Sequence, residues 1–191
     1  AGSYTVGVEY NQLPIFGSPY TAVVVPGRAD APSSVVSCVD AGEPSRECTA
    51  LVGTAGEVNQ FTITARDTSG NDCATGGEKV EALLMLPART WGEGALMKQL
   101  RDETRGAGYK VTVHDIGDGS YSANYRVLPA GKYELAVTID GQHIKGSPFA
   151  TVVQPGATCA GSSKVSGDGK EHALAGITSR ITIAGVDCYG N

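Results

Sequence analysis

The sequence lacks three features that mark common classes of protein: an excess of positive charge, a long apolar run and a short catalytic motif. Charged residues make up 18% of the 191 positions and the formal net charge is -5, so the chain has no basic footprint for nucleic acid or an anionic surface. Its longest apolar stretch, residues 80–86, contains Glu81 and falls far short of the roughly 20 residues that cross a bilayer. We therefore predict no nucleic-acid partner and no membrane insertion within these residues.

Reactive side chains are few and scattered. The three histidines, His114, His143 and His172, do not stand at a zinc-type spacing from any cysteine. There is no Gly-x-Ser-x-Gly elbow, no Gly-x-x-x-x-Gly-Lys phosphate loop and no Cys-x-x-Cys pair. Asp115 and Asp118 lack the remaining ligands of a calcium loop and indicate a hairpin turn. The sequence predicts that the protein is not an enzyme and holds no cofactor or metal.

What the sequence does contain is a repeat. A signature of Gly-x-Tyr, Gly-Ser-Pro-aromatic and Pro-Gly begins at Gly2 and again at Gly131, 129 positions later. A second signature, Asp-x-x-Gly-Asn, begins at Asp67 and again at Asp187, at a spacing of 120. The first copy therefore carries nine extra residues between the two signatures. Self-similarity at a fixed spacing is typical of tandem modules.

The spacing divides the chain into three parts. Residues 1–27 match the end of a preceding module, residues 28–156 form a complete module, and residues 157–191 match the beginning of a third. The complete module carries insertions at residues 39–47 and 87–108. Because a strand without its sheet exposes unpaired backbone groups, we expect the chain to be a fragment of a longer array.

Very short connections join the modules, around Pro26-Gly27 and Pro155-Gly156. Proline limits φ and glycine relaxes it. The sequence therefore predicts a restricted hinge, with modules end to end or folded on one another, and not a long flexible tether.

Short segments of alternating apolar residues, closed by Gly, Pro, Asn or Asp, dominate the complete module. The candidate strands are residues 34–38, 57–66, 78–86, 109–116, 120–127, 132–139 and 143–153, the last with a kink. Seven strands in about 120 residues are typical of an antiparallel sandwich. Pro148 removes a ladder donor, so we expect the segment around it at an edge or a bulge. The fold class is predicted as all-β.

One segment departs from this pattern. Residues 91–105 are rich in helix formers, with Leu96 and Leu100 one turn apart. We predict a short helix in the connection between two strands. It either decorates the sandwich or covers or forms a binding site, since long connections in compact domains are often functional.

The five cysteines do not decide whether the protein resides in an oxidising or a reducing compartment. Cys38 and Cys48 flank the first insertion, where a disulfide would close the neck of the loop; the alternative is two small buried thiols. Cys73 and Cys188 lie in or beside equivalent turns, and Cys159 lies near the position of Cys38 in the next module. No bridge among these three is assigned from the sequence.

Five large side chains are predicted to form the core of the complete module. Tyr121, Tyr125 and Tyr133 alternate with small or polar residues on neighbouring strands, which places their rings between sheets while each hydroxyl finds a backbone partner. Ile144 and Phe149 lie on either side of the kink and are expected to close the bottom of the core. We interpret these aromatics as packing residues and not as a ligand cage.

An ordered set of aromatics, turn residues and prolines runs through the chain. It comprises Phe61, Ile63, Asp67, Gly70, Asn71, Gly76, Gly77, Asp115, Asp118, Gly119, Tyr121, Tyr125, Pro129, Gly131, Tyr133, Gly141, His143, Ile144, Gly146, Ser147, Pro148, Phe149, Val153, Pro155 and Gly156. This set resembles the filamin-type (actin-binding protein 280) immunoglobulin-like repeat. The two insertions are departures from the compact module of that family.

The resemblance implies a protein that spaces and links domains in a rod-like array. It also implies that partners bind by adding a peptide strand between the third and fourth strands of the module, the mode called β-augmentation. The corresponding groove would run between Val80, Ala82 and Leu84 on one strand and Val111 and Val113 on the next. The predicted helical insertion joins these same two strands and would either shield the groove or extend it.

Two functions fit these observations. The first is a structural and scaffolding module that spaces domains and binds other proteins or neighbouring copies of the array. The alternative is an extracellular adhesion, matrix or filament-assembly protein with disulfide-stabilised repeats. An accessory module of an enzyme is a third, smaller alternative, since fold alone does not decide function. The location is open between the cytoskeleton and the outside of the cell, with the outside slightly favoured.

The intact mass of the protein before and after reduction separates the two settings. Extracellular repeats are expected to gain about 2 Da for each bridge on reduction, because disulfides persist only in oxidising compartments. A mass that reduction leaves unchanged means five thiols, and it favours the cytoskeletal setting.

Overall fold

The fold is known from a computed structural model, which describes residues 1–38, 46–86 and 108–191. The helix predicted over residues 91–105 lies outside the described residues, as do most of the first insertion and nearly all of the second.

The described residues form short strands in all three parts of the chain. The amino-terminal part contains β1 (Gly2–Val6), β2 (Glu9–Tyr10), β3 (Leu13–Pro14) and β4 (Tyr20–Val24). The middle part contains β5 (Val35–Cys38), β6 (Arg46–Glu47), β7 (Ala50–Thr54), β8 (Asn59–Thr64), β9 (Val80–Met85), β10 (Tyr109–Lys110), β11 (Thr112–Asp115), β12 (Ser120–Tyr125), β13 (Gly131–Ile139), β14 (Gln142–His143) and β15 (Phe149–Gln154). The carboxyl-terminal part contains β16 (Lys164–Ser166) and β17 (Thr182–Ala184). Two 3-10 turns occupy Ala31–Ser33 and Asp168–Lys170.

Two sheets make up the middle part. One has the order β10-β9-β13-β15-β7, with β14 also paired to β13, and the other has the order β11-β12-β8-β5-β6. Every pair in these sheets is antiparallel except β15 with β7, which is parallel. The predicted all-β, immunoglobulin-like fold is therefore confirmed, and the prediction of purely antiparallel pairing is corrected by this one pair.

The strand count differs from the predicted seven, because the described part of the middle module contains eleven strands. The strand predicted at 109–116 is divided at Val111, so that β10 pairs with β9 in one sheet and β11 pairs with β12 in the other. The strand predicted at 143–153 is divided by the turn before β15, where Ser147 N donates to Ile144 O at 3.1 Å. The sequence pattern did not reveal β7, because its pairing partner β15 lies far along the chain.

Alternate side chains from both sheets meet in a dry core. Along β12, β13 and β15 every second residue is buried, as expected for strands with one face inside. The five predicted core residues are all buried: Tyr121, Tyr125, Tyr133, Ile144 and Phe149. The hydroxyl of Tyr133 donates to Pro129 O at 2.8 Å, which satisfies the buried polar end of the ring.

The hairpin turn predicted at Asp115 and Asp118 is present, and a second Asp-Gly turn reverses the chain between β13 and β14. Between β11 and β12, Asp115 Oδ1 accepts from Gly117 N at 2.8 Å, and Asp118 Oδ1 accepts from Ser120 N at 3.0 Å. Between β13 and β14, Asp140 and Gly141 have φ values of 50° and 81°, the left-handed pair that a tight hairpin requires. Both aspartates of the first turn therefore fold the backbone.

The two ends of the first predicted insertion lie close together, and side chains beside them form ion pairs with neighbouring strands and loops. Cys38 and Cys48 lie with their Cα atoms 5.9 Å apart, within the range that a disulfide requires, and their pairing stays a prediction that the mass measurement tests. Beside them, Glu47 contacts Arg66 at 2.5 Å and Lys145 at 3.0 Å, and these neighbours lower the pKa of its carboxyl, Lys145 most and then Arg66. Such exposed ion pairs contribute at most about 1 kcal/mol each.

The flanking parts reproduce the strand register of the middle module. Gly2 pairs with Val24 between β1 and β4, and Gly131 pairs with Val153 between β13 and β15. Both residues of the first pair recur 129 positions later. Likewise Lys164 pairs with Ala184 between β16 and β17, which is the counterpart of the pair between Val35 and Thr64. The repeat seen in the sequence thus extends to backbone pairing.

Two adjacent leucines of β9 test this arrangement, because they face opposite sides of the sheet. Leu84 is 0% exposed in the core, whereas Leu83 is 37% exposed. We expect Leu84→Ala to lower the free energy of unfolding by about 2–5 kcal/mol through the cavity it leaves. Leu83→Ala should cost less than about 1 kcal/mol. Guanidinium unfolding followed by circular dichroism measures both values. Equal losses would contradict the register of β9.

Candidate functional site

The first sheet has an open edge along part of β9. Strand β10 pairs with β9 only at Leu84 and Leu83, and beyond them a single long bond joins Val111 N to Ala82 O at 3.4 Å. From there the chain crosses to the second sheet, where β11 pairs with β12. Among the described residues, the stretch of β9 from Val80 to Ala82 therefore has a strand partner only on its β13 side.

A groove lies where β9 and β11 separate. It encloses a volume of about 840 Å³, which is large enough for several side chains of an extended peptide. Its lining residues are Lys79, Val80, Glu81, Ala82, Leu83, Met85, Lys110, Val111, Thr112, Val113, Ala136, Thr138 and His143. The buried Ala82 and Val111 and the half-buried Val80 and Val113 supply apolar surface. Charged groups at the exposed end include an ion pair of 3.0 Å between Lys79 and Glu81.

Four of the five residues predicted for the groove line it together: Val80, Ala82, Val111 and Val113. Leu84 does not line it, because its side chain is completely buried in the core. At Leu84 the edge of β9 is also closed by its pairing with Tyr109 of β10.

Sequence reasoning missed the residues that line the outer face of the groove. Ala136 lies opposite Leu83, and Thr138 lies opposite Glu81, in the pairing of β13 with β9. This neighbourhood depends on strand register and not on local pattern. The signal that was available is the alternation of β13, in which buried Leu135 and Val137 require the residues between them to face outward.

The beginning of β9 is anchored to the β13–β14 turn and to the core. Asp140 N donates to Lys79 O at 2.9 Å, and Lys79 N donates to Asp140 Oδ1 at 3.2 Å. Next to them the buried hydroxyl of Tyr121 donates to the carboxylate of Glu78 and accepts from Glu78 N at 3.2 Å. Burial, and then the Glu78 carboxylate, raise the pKa of Tyr121 well above its ordinary value. These bonds hold the open edge in place.

His143 is the one histidine at the groove, and its ring Nδ1 lies 2.9 Å from Ser147 Oγ. The serine has a structural role, because its Oγ accepts from Val137 N at 2.9 Å. The first part of the chain repeats this bond between Ser18 Oγ and Val8 N at 2.9 Å, although Pro14 stands there at the position of His143. The serine therefore accepts the same backbone hydrogen bond whether or not a histidine lies beside it.

Among the residues that the structure describes, no group of three His, Cys, Asp or Glu side chains lies close enough to hold a metal ion. The described part of the chain also includes no helix with the length and apolar character of a membrane span.

The fold and groove together define the class of this protein. It is an immunoglobulin-like β-sandwich module in which one sheet leaves part of an edge strand open. The family model for the Filamin/ABP280 repeat matches residues 31–150, so the chain belongs to the filamin repeat family. This confirms the resemblance seen in the sequence. Repeats of this family are structural modules that mediate contacts between proteins.

Two curated relatives show how small a part of such proteins this chain represents. It is 26% identical to Filamin-A of Drosophila melanogaster over 156 residues, which is 82% of this chain and 6% of that protein. It is 28% identical to Filamin-C of Rattus norvegicus over 154 residues, which is 78% of this chain and 4% of that protein.

Solved structures with a similar fold include two bacterial surface proteins. The Escherichia coli adhesin FdeC matches with a TM-score of 0.56 and 22% identity, over 100% of this chain and 52% of that one. Invasin, a bacterial integrin-binding protein, matches with a TM-score of 0.53 and 18% identity, over 91% of this chain and 31% of that one. At these identities the similarity shows the fold alone.

Proposed function

We propose that this protein is a non-enzymatic structural module of a filamin-like array, which spaces its neighbours and binds other proteins along the open edge of β9. The observation that carries the proposal is the coincidence of an unpaired stretch of strand with an apolar groove of about 840 Å³. The array consists of modules divided near residues 27 and 156, and the matching strand registers of its three parts support this division.

The open edge provides the backbone part of a binding site. A strand that exposes its amide and carbonyl groups is a template for another strand. The bonds from Asp140 to Lys79 keep the first residues of β9 fixed, so a peptide would meet an ordered edge and little entropy would be lost on the protein side.

The apolar lining provides the side-chain part. Successive side chains of an added strand point to opposite faces. One set would contact Val80, Ala82 and Val113, and the other would lie near Leu83 and Ala136, on the outer face. We therefore infer that the preferred partner is an extended segment with alternating apolar residues and without proline at the paired positions.

Peptides selected from a random linear library against the 191-residue chain test this proposal. The best binder should shift the amide resonances of residues 79–82 and 111–113, because those residues border the groove. Leu83→Glu should weaken its affinity at least about tenfold, which corresponds to about 1.4 kcal/mol, since a carboxylate would enter an apolar contact. Isothermal titration calorimetry measures the change.

Val52→Glu is the matched control. Val52 is 68% exposed on β7, the opposite edge of the same sheet, so its substitution adds the same charge away from the groove. Affinity should be unchanged. If Val52→Glu weakens binding and Leu83→Glu does not, the peptide adds to β7 and the assignment of the site is wrong.

A second candidate function is extracellular adhesion or matrix assembly. The observation that favours it is the position of the cysteines: Cys38 with Cys48 and Cys159 with Cys188 have Cα separations of 5.9 and 5.0 Å, both within the range that a disulfide requires. The fifth cysteine, Cys73, is buried. A protein with two bridges is suited to an oxidising compartment.

A non-reducing tryptic map of the protein from its native source tests this candidate. Cleavage after Arg46, Arg66, Lys79 and Lys164 places each of the five cysteines on its own peptide. We expect Cys38 linked to Cys48, Cys159 linked to Cys188, and Cys73 recovered as a thiol. Recovery of all five as thiols would refute the extracellular function and leave the structural module in place.

A further inference from the structure

Two places in the chain bring successive modules into contact, and the same residue types meet at both. We call them the first junction, where Gly27 meets the turn of residues 67–71, and the second junction, where Gly156 meets the turn of residues 187–191. Each turn carries the sequence Asp-x-x-Gly-Asn. Each contact joins the end of one module to the next module.

One carboxylate oxygen in each turn stabilises it by accepting two backbone hydrogen bonds. In the first, Asp67 Oδ1 accepts from Ser69 N and Asn71 N, both at 2.9 Å. In the second, Asp187 Oδ1 accepts from Tyr189 N and Asn191 N, both at 2.9 Å. These bonds lie within a single module, so they explain the turn but not the junction.

The other carboxylate oxygen reaches the preceding module. Asp67 Oδ2 accepts from Gly27 N at 2.9 Å, and Asp187 Oδ2 accepts from Gly156 N at 2.9 Å. The two glycines follow the prolines of the module connections. Each aspartate thus uses Oδ1 for its own turn, while Oδ2 accepts both from the preceding module and from the asparagine of its own turn.

The asparagine of each turn makes a second bond across the junction. Asn71 Oδ1 accepts from the terminal ammonium of Ala1 at 2.5 Å, and Asn191 Oδ1 accepts from the backbone amide of Ala130 at 2.8 Å. Asn191 also donates through Nδ2 to Leu128 O at 2.9 Å. Ala130 precedes β13, so the bond ties the next module to the loop between β12 and β13.

The equivalence of the two junctions follows from the repeat. The donors Ala1 and Gly27 recur 129 positions later as Ala130 and Gly156, and the acceptors Asp67 and Asn71 recur 120 positions later as Asp187 and Asn191. The same donors therefore meet the same acceptors twice, although the residues around them differ. A chance contact would not be expected to recur with both partners.

The junction carboxylates are buried and ionised. Asp67 is 6% exposed and Asp187 is 2% exposed. The amide of Gly27 makes the largest contribution to lowering the pKa of Asp67 far below its ordinary value. Burial raises the pKa of Asp187, but the hydrogen bonds from Asn191, Gly156 and Tyr189 prevail and bring it to about 2. Hydrogen bonds to an ionised acceptor are stronger than neutral ones.

At the second junction the ring of Tyr189 also packs against the preceding module, at Gly56. Any side chain at Gly56 would overlap the ring of Tyr189, so the absence of a side chain there permits the approach. Gly56 O accepts from Arg126 Nε at 2.7 Å, which holds the receiving loop. Ser69 stands at the corresponding position of the first junction.

We propose that the Asp-x-x-Gly-Asn turn is a docking element that fixes each module against the one before it. Its partner is a second copy of the module, which presents the amide after the connecting proline and the amide before β13. Two bonds from separate loops restrict rotation about the Pro-Gly connection. The array therefore has junctions of defined orientation, which goes beyond the spacing role proposed above and does not depend on the peptide groove.

Residual dipolar couplings of the 191-residue chain test the proposal. In the unmodified protein, one alignment tensor should fit both the middle module and residues 157–191. Asn191→Ala removes the acceptor for Ala130 N and the donor to Leu128 O, so residues 157–191 should lose the common tensor while the chemical shifts of β16 and β17 stay unchanged. Asp168→Ala is the control, because Asp168 Oδ1 accepts from Gly169 N and Arg180 N, both in its own module. It should keep the common tensor.

Three results would overturn the proposal: separate tensors in the unmodified protein, a common tensor that survives Asn191→Ala, or an equal loss in Asp168→Ala. A second measurement on the unmodified chain does not depend on how the variants fold. Scalar couplings across the hydrogen bonds should link Gly156 N to the carboxylate carbon of Asp187 and Ala130 N to the carboxamide carbon of Asn191. Their absence would also overturn the proposal.

Discussion

The structure depends on the burial of alternate side chains of β13 between the two sheets. Leu135, Val137 and Ile139 lie in the core, and the strand pairs with β9 on one side and with β15 on the other. A slip of one residue would turn every one of these side chains towards water, so the register is strongly determined. That register places Ala136 and Thr138 beside the groove. The same register fixes β15, which pairs with β7 on its other side, and the end of β15 leads into the connection to the next module.

The groove and the junctions use the same chemistry in different ways. Among residues 1–38, 46–86 and 108–191, a short stretch of β9 has no strand partner on its outer side, because the segment after Val111 crosses to the other sheet. At the junctions, by contrast, side chains of the next module accept from backbone amides that lie outside any ladder. A short open edge limits unwanted pairing between copies. The amides of Gly156 and Ala130 donate to side-chain oxygens of the next module, so these two donors are satisfied without a strand partner. The two proposals thus place protein partners at the side of the module and neighbouring modules at its ends.

The two predicted insertions connect strands of the filamin repeat. The first leaves the sheet after β5 and returns through β6, where Cys38 and Cys48 lie close together and Glu47 makes ion pairs with Arg66 and Lys145. The second joins β9 to β10, the two strands that border the groove. Both enter and leave at strand ends, where added length costs little loop-closure entropy. This position explains how residues 31–150 still match the family over their whole extent.

The sequence by itself determined what depends on neighbours along the chain. The period of two, the Asp-Gly turns and the spacing of Tyr121, Tyr125 and Tyr133 predicted an all-β module with the right core, because a strand buries every second side chain whatever it pairs with. The repeat predicted where the modules join, and the spacing of the cysteines suggested one of the two pairs. The tertiary structure decided the rest. Strand β7 forms by pairing in parallel with β15. Strand β10 ends before Val111, because the chain changes sheets there. Leu84 is buried in the core and does not line the groove, and β10 closes the edge of the sheet beside it. The junction bonds likewise join residues dozens of positions apart. Each of these features is set by a partner distant in sequence, whose position no local pattern of residues specifies.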